Sequence, residues 1–199
     1  MINRILSEGI FPGSELLENE LQGIVIGNRI PQDFFETKGI GESDLSIQSG
    51  SYRLALQTAK ISTFNIMAYT SILPGIARKV EQPKHIEHGS VLESVLSICS
   101  ANKGERATAG IVYGWLYDKR TKDRFGGLLC EQTGDYSIPE IQDILRNNLE
   151  ELYLNGYSED FTLNDIAYLT ESIITKKKFG TALAGLCFTS YYYPVIQVK

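Results

Sequence analysis

Phe64-Asn65-Ile66-Met67-Ala68-Tyr69-Thr70-Ser71-Ile72-Leu73-Pro74 is the stretch on which the reading of this chain turns. Apolar residues run in from Phe64, a Thr-Ser pair interrupts them, and Leu73-Pro74 closes the segment. Apolar and β-branched residues favour extended backbone, and proline cannot continue an interior strand, so the spacing predicts a strand over 63–73.

Upstream, Gly39 to Gly50 places Gly, Ser and Asp in quick succession and reads as a long loop. Ser51 is placed to cap a helix running to about Lys60. On it Tyr52, Ala55, Leu56 and Ala59 share one face, and Arg53, Gln57 and Lys60 the other. Gly23 to Gly27 predicts a short strand. Downstream, strands are predicted at 89–100, 106–117 and 124–132, with Asp118 to Asp123 as a charged hairpin tip. Ala107 to Trp115 combines β-formers with small residues, as a crowded sheet-on-sheet core requires.

Ser137-Ile138-Pro139-Glu140 is a capping box with proline in the first turn. Ile141, Leu145, Leu149 and Leu152 follow at helical spacing, with Gly156 as a stop. Two more strands are predicted near 163–174 and 180–191. One strongly amphipathic helix over many strands gives an α/β (α+β) layered sandwich. The chain reads as a single domain over 1–199, with residues 1–20 a peripheral extension.

At 199 residues, 43% hydrophobic and 22% charged, the composition supports one sizeable core and argues against disorder. A net charge of -5 disfavours general nucleic-acid binding, which needs a basic surface. Lys176-Lys177-Lys178 reads as a solvated strand end. Cys99, Cys130 and Cys187 have no CxxC spacing and read as reduced, buried thiols of a cytosolic protein. Met1 to Glu8 has no apolar h-region, and no apolar run approaches the roughly 20 residues that span a bilayer. A cytoplasmic protein without membrane or nucleic-acid partners is expected. His85 and His88 stand three apart, yet no Cys/His/carboxylate set completes a metal site. Ser71 is not in a G-x-S-x-G elbow, which speaks against a Ser-His-Asp hydrolase.

Several segments carry one combined pattern in order and approximate spacing. They are Gly41-Glu42-Ser43-Asp44, Ala55-Leu56, Ala59-Lys60-Ile61, Phe64-Asn65 and Tyr69-Thr70-Ser71-Ile72-Leu73-Pro74. His88 to Glu93, Ala109-Gly110-Ile111, Gly126 to Glu131 and Lys178 to Ala184 continue it, so that it spans roughly 22–192. The pattern resembles the pyruvoyl-dependent arginine decarboxylases, most closely their bacterial branch.

The resemblance implies a layered αββα sandwich and self-cleavage after Thr70, giving a β chain of residues 1–70 and an α chain from 71. Ser71 would be converted into a covalent pyruvoyl cofactor, with Asn65 as donor to the developing oxyanion. The pyruvoyl group would form a Schiff base with the substrate amine and act as electron sink for loss of CO2. Glu131, after apolar Leu128 and Leu129 and Cys130, matches the family's proton donor, and poor solvation there would raise its pKa. Arginine would yield agmatine, with polyamine supply or acid tolerance as the role. Trimers, sometimes paired into hexamers, would place active sites between subunits, with Phe188, Tyr191, Tyr192 and Tyr193 as interface or core.

At one position the pattern departs from the family. An aspartate that contacts the substrate guanidinium there falls on Arg53 here, and a cation would repel that group. Asp44 or Glu42 then supplies the negative charge, or Arg53 engages another amino acid. An uncleaved, non-catalytic relative acting as a binding or regulatory protein is the rival reading.

Overall fold

Two sheets face each other across one core, and each carries a helix on its outer side. The computed structural model describes residues 24–85 and 87–198. The strands are β1 (Ile24–Ile26), β2 (Ile30–Pro31), β3 (Asp33–Ser43), β4 (Asn65–Ala68), β5 (Ile72–Pro74), β6 (Arg78–Lys79) and β7 (Val91–Asn102). They continue as β8 (Arg106–Asp118), β9 (Arg124–Gly134), β10 (Phe161–Ile174), β11 (Phe179–Phe188), β12 (Tyr191–Tyr192) and β13 (Val195–Val198). The helices are α1 (Arg53–Thr58), entered through a π-helical turn at Ile47–Tyr52, and α2 (Ile138–Leu154).

Residues 30–191 form one unit. Within it a five-stranded sheet has the order β4-β7-β11-β3-β6, and a four-stranded sheet the order β10-β8-β9-β5. Phe34, Leu73, Val95, Ile111, Tyr113, Leu129 and Leu186 fill the layer between the sheets. On the outer side of the first sheet, Ala55 and Leu56 of α1 and Ala59 at its C-cap pack on Phe35, Leu92 and Leu183. Outside the second, Ile141, Leu145 and Leu149 of α2 pack on Val112, Leu116 and Leu128. The architecture is thus an αββα sandwich. Because β8 is covered on both faces, Ala107 to Leu116 are all buried and show no polar alternation. In the second unit, β1 and β13 pair antiparallel, Ile24 with Val198 and Val25 with Gln197. Among the described residues no helix is long and apolar enough to cross a membrane. The expected extension at 1–20 lies outside the described residues.

The structure confirms the strands read at 89–100, 106–117 and 124–132, the hairpin tip at 118–123, and the Ser137 capping box. It corrects four readings. Gly39 to Ser43 is strand, not loop: a Cβ on Gly39 would lie 2.1 Å from the Ala55 carbonyl, and one on Gly41 2.1 Å from that of Ser51. These glycines exist so that the helix can sit on the strand, which turn statistics mistake for a loop signal. Ser51 does not cap α1; it is buried and hydrogen-bonds Thr181 across 2.8 Å. The strand predicted at 63–73 breaks into β4 and β5, which join different sheets. Of the three thiols only Cys187 is fully buried; Cys99 and Cys130 are half-buried. Gly41→Ala is expected to destabilise the fold by more than about 3 kcal/mol, since backbone rather than a side chain blocks the new methyl. Urea unfolding measures it.

Candidate functional site

Where β4 ends, the chain leaves one sheet for the other. β4 runs parallel to β7, with Ala68 opposite Ser94. After three intervening residues β5 runs antiparallel to β9, with Ile72 opposite Leu128. The Thr70–Ser71 peptide is therefore part of the covalent tie between the sheets, held at both ends. On one side the Tyr69 N–H donates to the Ser94 carbonyl at 2.9 Å; on the other the Leu129 N–H donates to the Ser71 carbonyl at 3.0 Å.

Between these anchors the chain makes a tight three-residue turn. The Ile72 N–H donates to the Thr70 carbonyl at 3.0 Å, so Ser71 sits at its centre. That donor polarises the Thr70 carbonyl, the carbonyl directly preceding Ser71. Thr70 is exposed and Ser71 half-buried. The Ser71 hydroxyl donates to Glu131 Oε2 at 3.3 Å. Glu131 lies on the face of β9 shared with Leu129, towards the other sheet, and its partner on β8 is the buried Ile111. Its surface remains open to solvent in the single chain, yet crowding around the carboxyl raises its pKa, while the Ser71 hydrogen bond pulls it down. Burial, with the Glu131 charge, also lifts the Cys130 thiol to about 11, which keeps it protonated.

A buried acid that the sequence reading did not assign braces this turn. Glu93 is buried on β7, and Oε2 accepts from the Tyr69 hydroxyl at 2.5 Å. The Tyr69 ring packs on Phe188 with centroids 5.5 Å apart. Together these fix the residue immediately before Thr70. Neither Tyr69 nor Glu93 has a motif of its own; only the β4–β7 register brings them together.

The other residues singled out in the sequence lie elsewhere in the chain. Asn65 opens β4, and its side-chain amide donates to the Gly89 carbonyl at 2.7 Å. Six extended residues place it up to about 20 Å from Ser71. Arg53 is exposed at the start of α1. The Glu42 carboxylate accepts the backbone N–H groups of Lys176 and Lys177, and Asp44 that of Lys178. These acids hold the turn between β10 and β11, where Lys176 to Lys178 are exposed. One chain therefore brings together Thr70, Ser71 and Glu131, and leaves Asn65, Arg53, Glu42 and Asp44 apart from them. Phe188 is core; Tyr192 and Tyr193 are exposed.

A serine turn facing a carboxyl of raised pKa suits a serine-derived carbonyl group, and comparison with known proteins gives the chain a family. The model of the pyruvoyl-dependent arginine decarboxylases matches residues 33–192. The chain belongs to this family. A pyruvoyl-dependent arginine decarboxylase from Chlamydia muridarum is 31% identical over 185 residues, covering 83% of this chain and 94% of the relative. Its counterpart in Chlamydia trachomatis serovar D is 32% identical over 190 residues with the same coverage. A probable pyruvoyl-dependent arginine decarboxylase from Chlorobaculum tepidum is 29% identical over 121 residues, 54% of this chain and 64% of the relative. This is a family of carboxy-lyases that carry a covalently bound pyruvoyl group. The residues present fit such a group: a serine in a turn, its carbonyl held by Leu129 N–H, and a carboxyl of raised pKa beside it.

Proposed function

We propose that this chain cleaves itself between Thr70 and Ser71, converts Ser71 into its pyruvoyl cofactor, and decarboxylates an L-amino acid, with arginine to agmatine and CO2 as the first assignment. The observation that carries the reading is the Ser71 turn, in which one backbone donor grips the Thr70 carbonyl and the hydroxyl faces Glu131. In the first step the Ser71 Oγ bonds to the Thr70 carbonyl carbon as the C–N bond breaks, leaving a backbone ester. Loss of the Ser71 Cα proton then expels the Thr70 carboxylate from Cβ. Water supplies the keto oxygen and ammonia leaves. The Ile72 N–H stabilises charge on the Thr70 oxygen during the attack.

The pyruvoyl group supplies a carbonyl for the substrate amine and an electron sink for the pair left behind by CO2. The chain's own residues do the rest. The carbonyl of residue 71 lies next to the keto carbon and keeps its hydrogen bond from Leu129 N–H, which favours negative charge on that oxygen. Glu131 holds a proton for return to the substrate α-carbon.

Because Asn65, Arg53, Glu42 and Asp44 lie away from Ser71 in one chain, we propose that a neighbouring copy completes each site, in a trimer or paired trimers. The cytoplasm is the compartment proposed. A second reading rests on the exposed Arg53 and on the engagement of Glu42 and Asp44 by backbone donors: the same chemistry acts on an acidic or neutral amino acid. CO2 release from arginine, aspartate, glutamate, lysine and ornithine decides between them. Arginine is expected to give the highest kcat/KM, rising about three- to tenfold in Arg53→Ala as a like charge is removed. Release from an acidic substrate alone, lost in Arg53→Ala, selects the second reading.

A further inference from the structure

A cavity of about 370 Å³ lies below the C-terminal end of α1 and contains neither Ser71 nor Glu131. Its volume falls in the range of small-molecule sites. Phe35 and Phe64 give it an apolar wall, and Lys60, Lys84 and His85 line it together with Gln82. Among the described residues no carboxylate lines it, in a chain whose net charge is -5. Among the described residues none of these three basic side chains is in an ion pair. Gln82 is braced, its amide donating to the Ala59 carbonyl at 3.1 Å.

Lys60 adds an independent observation. The helix ends in a Schellman motif, with Lys60 N–H on the Gln57 carbonyl at 3.0 Å and Ile61 N–H on the Leu56 carbonyl at 2.9 Å. The C′ position of that motif favours glycine, yet Lys60 occupies it with φ of 59°. A lysine held in left-handed backbone is unfavourable for the helix stop, so its place there calls for a role of the side chain.

We propose that this cavity binds a small organic anion, bearing carboxylate or phosphate, whose charge is met by Lys60, Lys84 and His85 and whose apolar part lies on Phe64. Within one chain neither Ser71 nor Glu131 lines the cavity, and its test reads binding rather than turnover. Titration calorimetry of the full-length protein with inorganic phosphate and with citrate, in low-salt buffer, is expected to show saturable binding of at least one. Lys60→Gly weakens it at least about tenfold while the Tm stays level or rises, because glycine suits the backbone there. Lys84→Ala, outside the helix end, weakens binding similarly and carries the test alone should Lys60→Gly disturb the fold. No saturable binding of either probe by about 10 mM, or binding indifferent to both substitutions, overturns the proposal.

Discussion

Ser71→Ala is expected to run as one chain of 22.2 kDa on a denaturing gel, where the parent protein is expected to give two fragments, residues 1–70 and 71–199. The methyl side chain has no oxygen to attack the Thr70 carbonyl, so neither the ester nor the keto group can form. Reactivity toward hydrazines and borohydride should vanish with it. Amino-acid decarboxylation should fall by more than about 10⁴-fold, to the floor of a CO2-release assay. The fold should hardly notice. Ser71 Oγ has a single side-chain partner, Glu131, and losing one such exposed hydrogen bond costs about 1 kcal/mol at most. A matching circular-dichroism spectrum and urea midpoint would therefore assign the lost activity to chemistry. An uncleaved parent protein, or a Ser71→Ala protein that still yields two fragments, would refute the self-processing assignment.

The fragments are also expected to stay together after cleavage. β3 and β4 come from the first, β6, β7 and β11 from the second, and all five share one sheet. β3 pairs with β11 through ten consecutive residues, Phe34 opposite Phe188 to Ser43 opposite Phe179. Cutting Thr70–Ser71 removes a covalent tie between the sheets while leaving that ladder and the core beneath it intact. Native size-exclusion chromatography should return both fragments in one peak.

How much of this was legible beforehand follows from how local each signal is. The α2 cap and the long strands were readable because Ser137, Glu140 and the apolar period act within a few residues. Gly39 and Gly41 misled because their reason is a helix more than ten residues away, pressed on the strand. The break at Tyr69 was invisible for the same reason: Met67 and Ile72 look alike in sequence, and only β7 and β9 decide that they belong to different sheets. At the site, Ser71 and Thr70 announce themselves, and Glu131 follows from its match to a family pattern. Glu93 lies at the end of the matching stretch His88 to Glu93, yet nothing local marks it for a role, since a lone glutamate in an apolar strand has no signature of its own. The Ile72 N–H carries no side-chain signal at all; the turn that aims it exists only in three dimensions. Asn65 was assigned to the oxyanion from the family pattern, and in one chain its amide serves Gly89.

Glu131→Gln separates the two reactions that share this turn. Self-cleavage happens once per chain, and glutamine still offers an oxygen to accept the Ser71 hydroxyl hydrogen, so two fragments should form on standing. Turnover needs a proton delivered in every cycle, which an amide cannot give; kcat should fall by about 10²–10⁴-fold, the range of a lost general acid. The pH profile gives the sharper test. Burial raises the Glu131 pKa, and the only side chain opposing that is the Ser71 hydroxyl. The proposed conversion of Ser71 would remove this hydroxyl, so in the cleaved protein the carboxyl is expected to rise further and hold its proton to higher pH. A donor acts while it holds its proton, so kcat should be level at low pH and decline as pH climbs through that raised value. The Glu131→Gln protein should lack the decline. Full activity in the variant, or the same alkaline limb with the amide in place, removes Glu131 from the proton transfer and leaves the buried Glu93 as the next carboxyl to substitute.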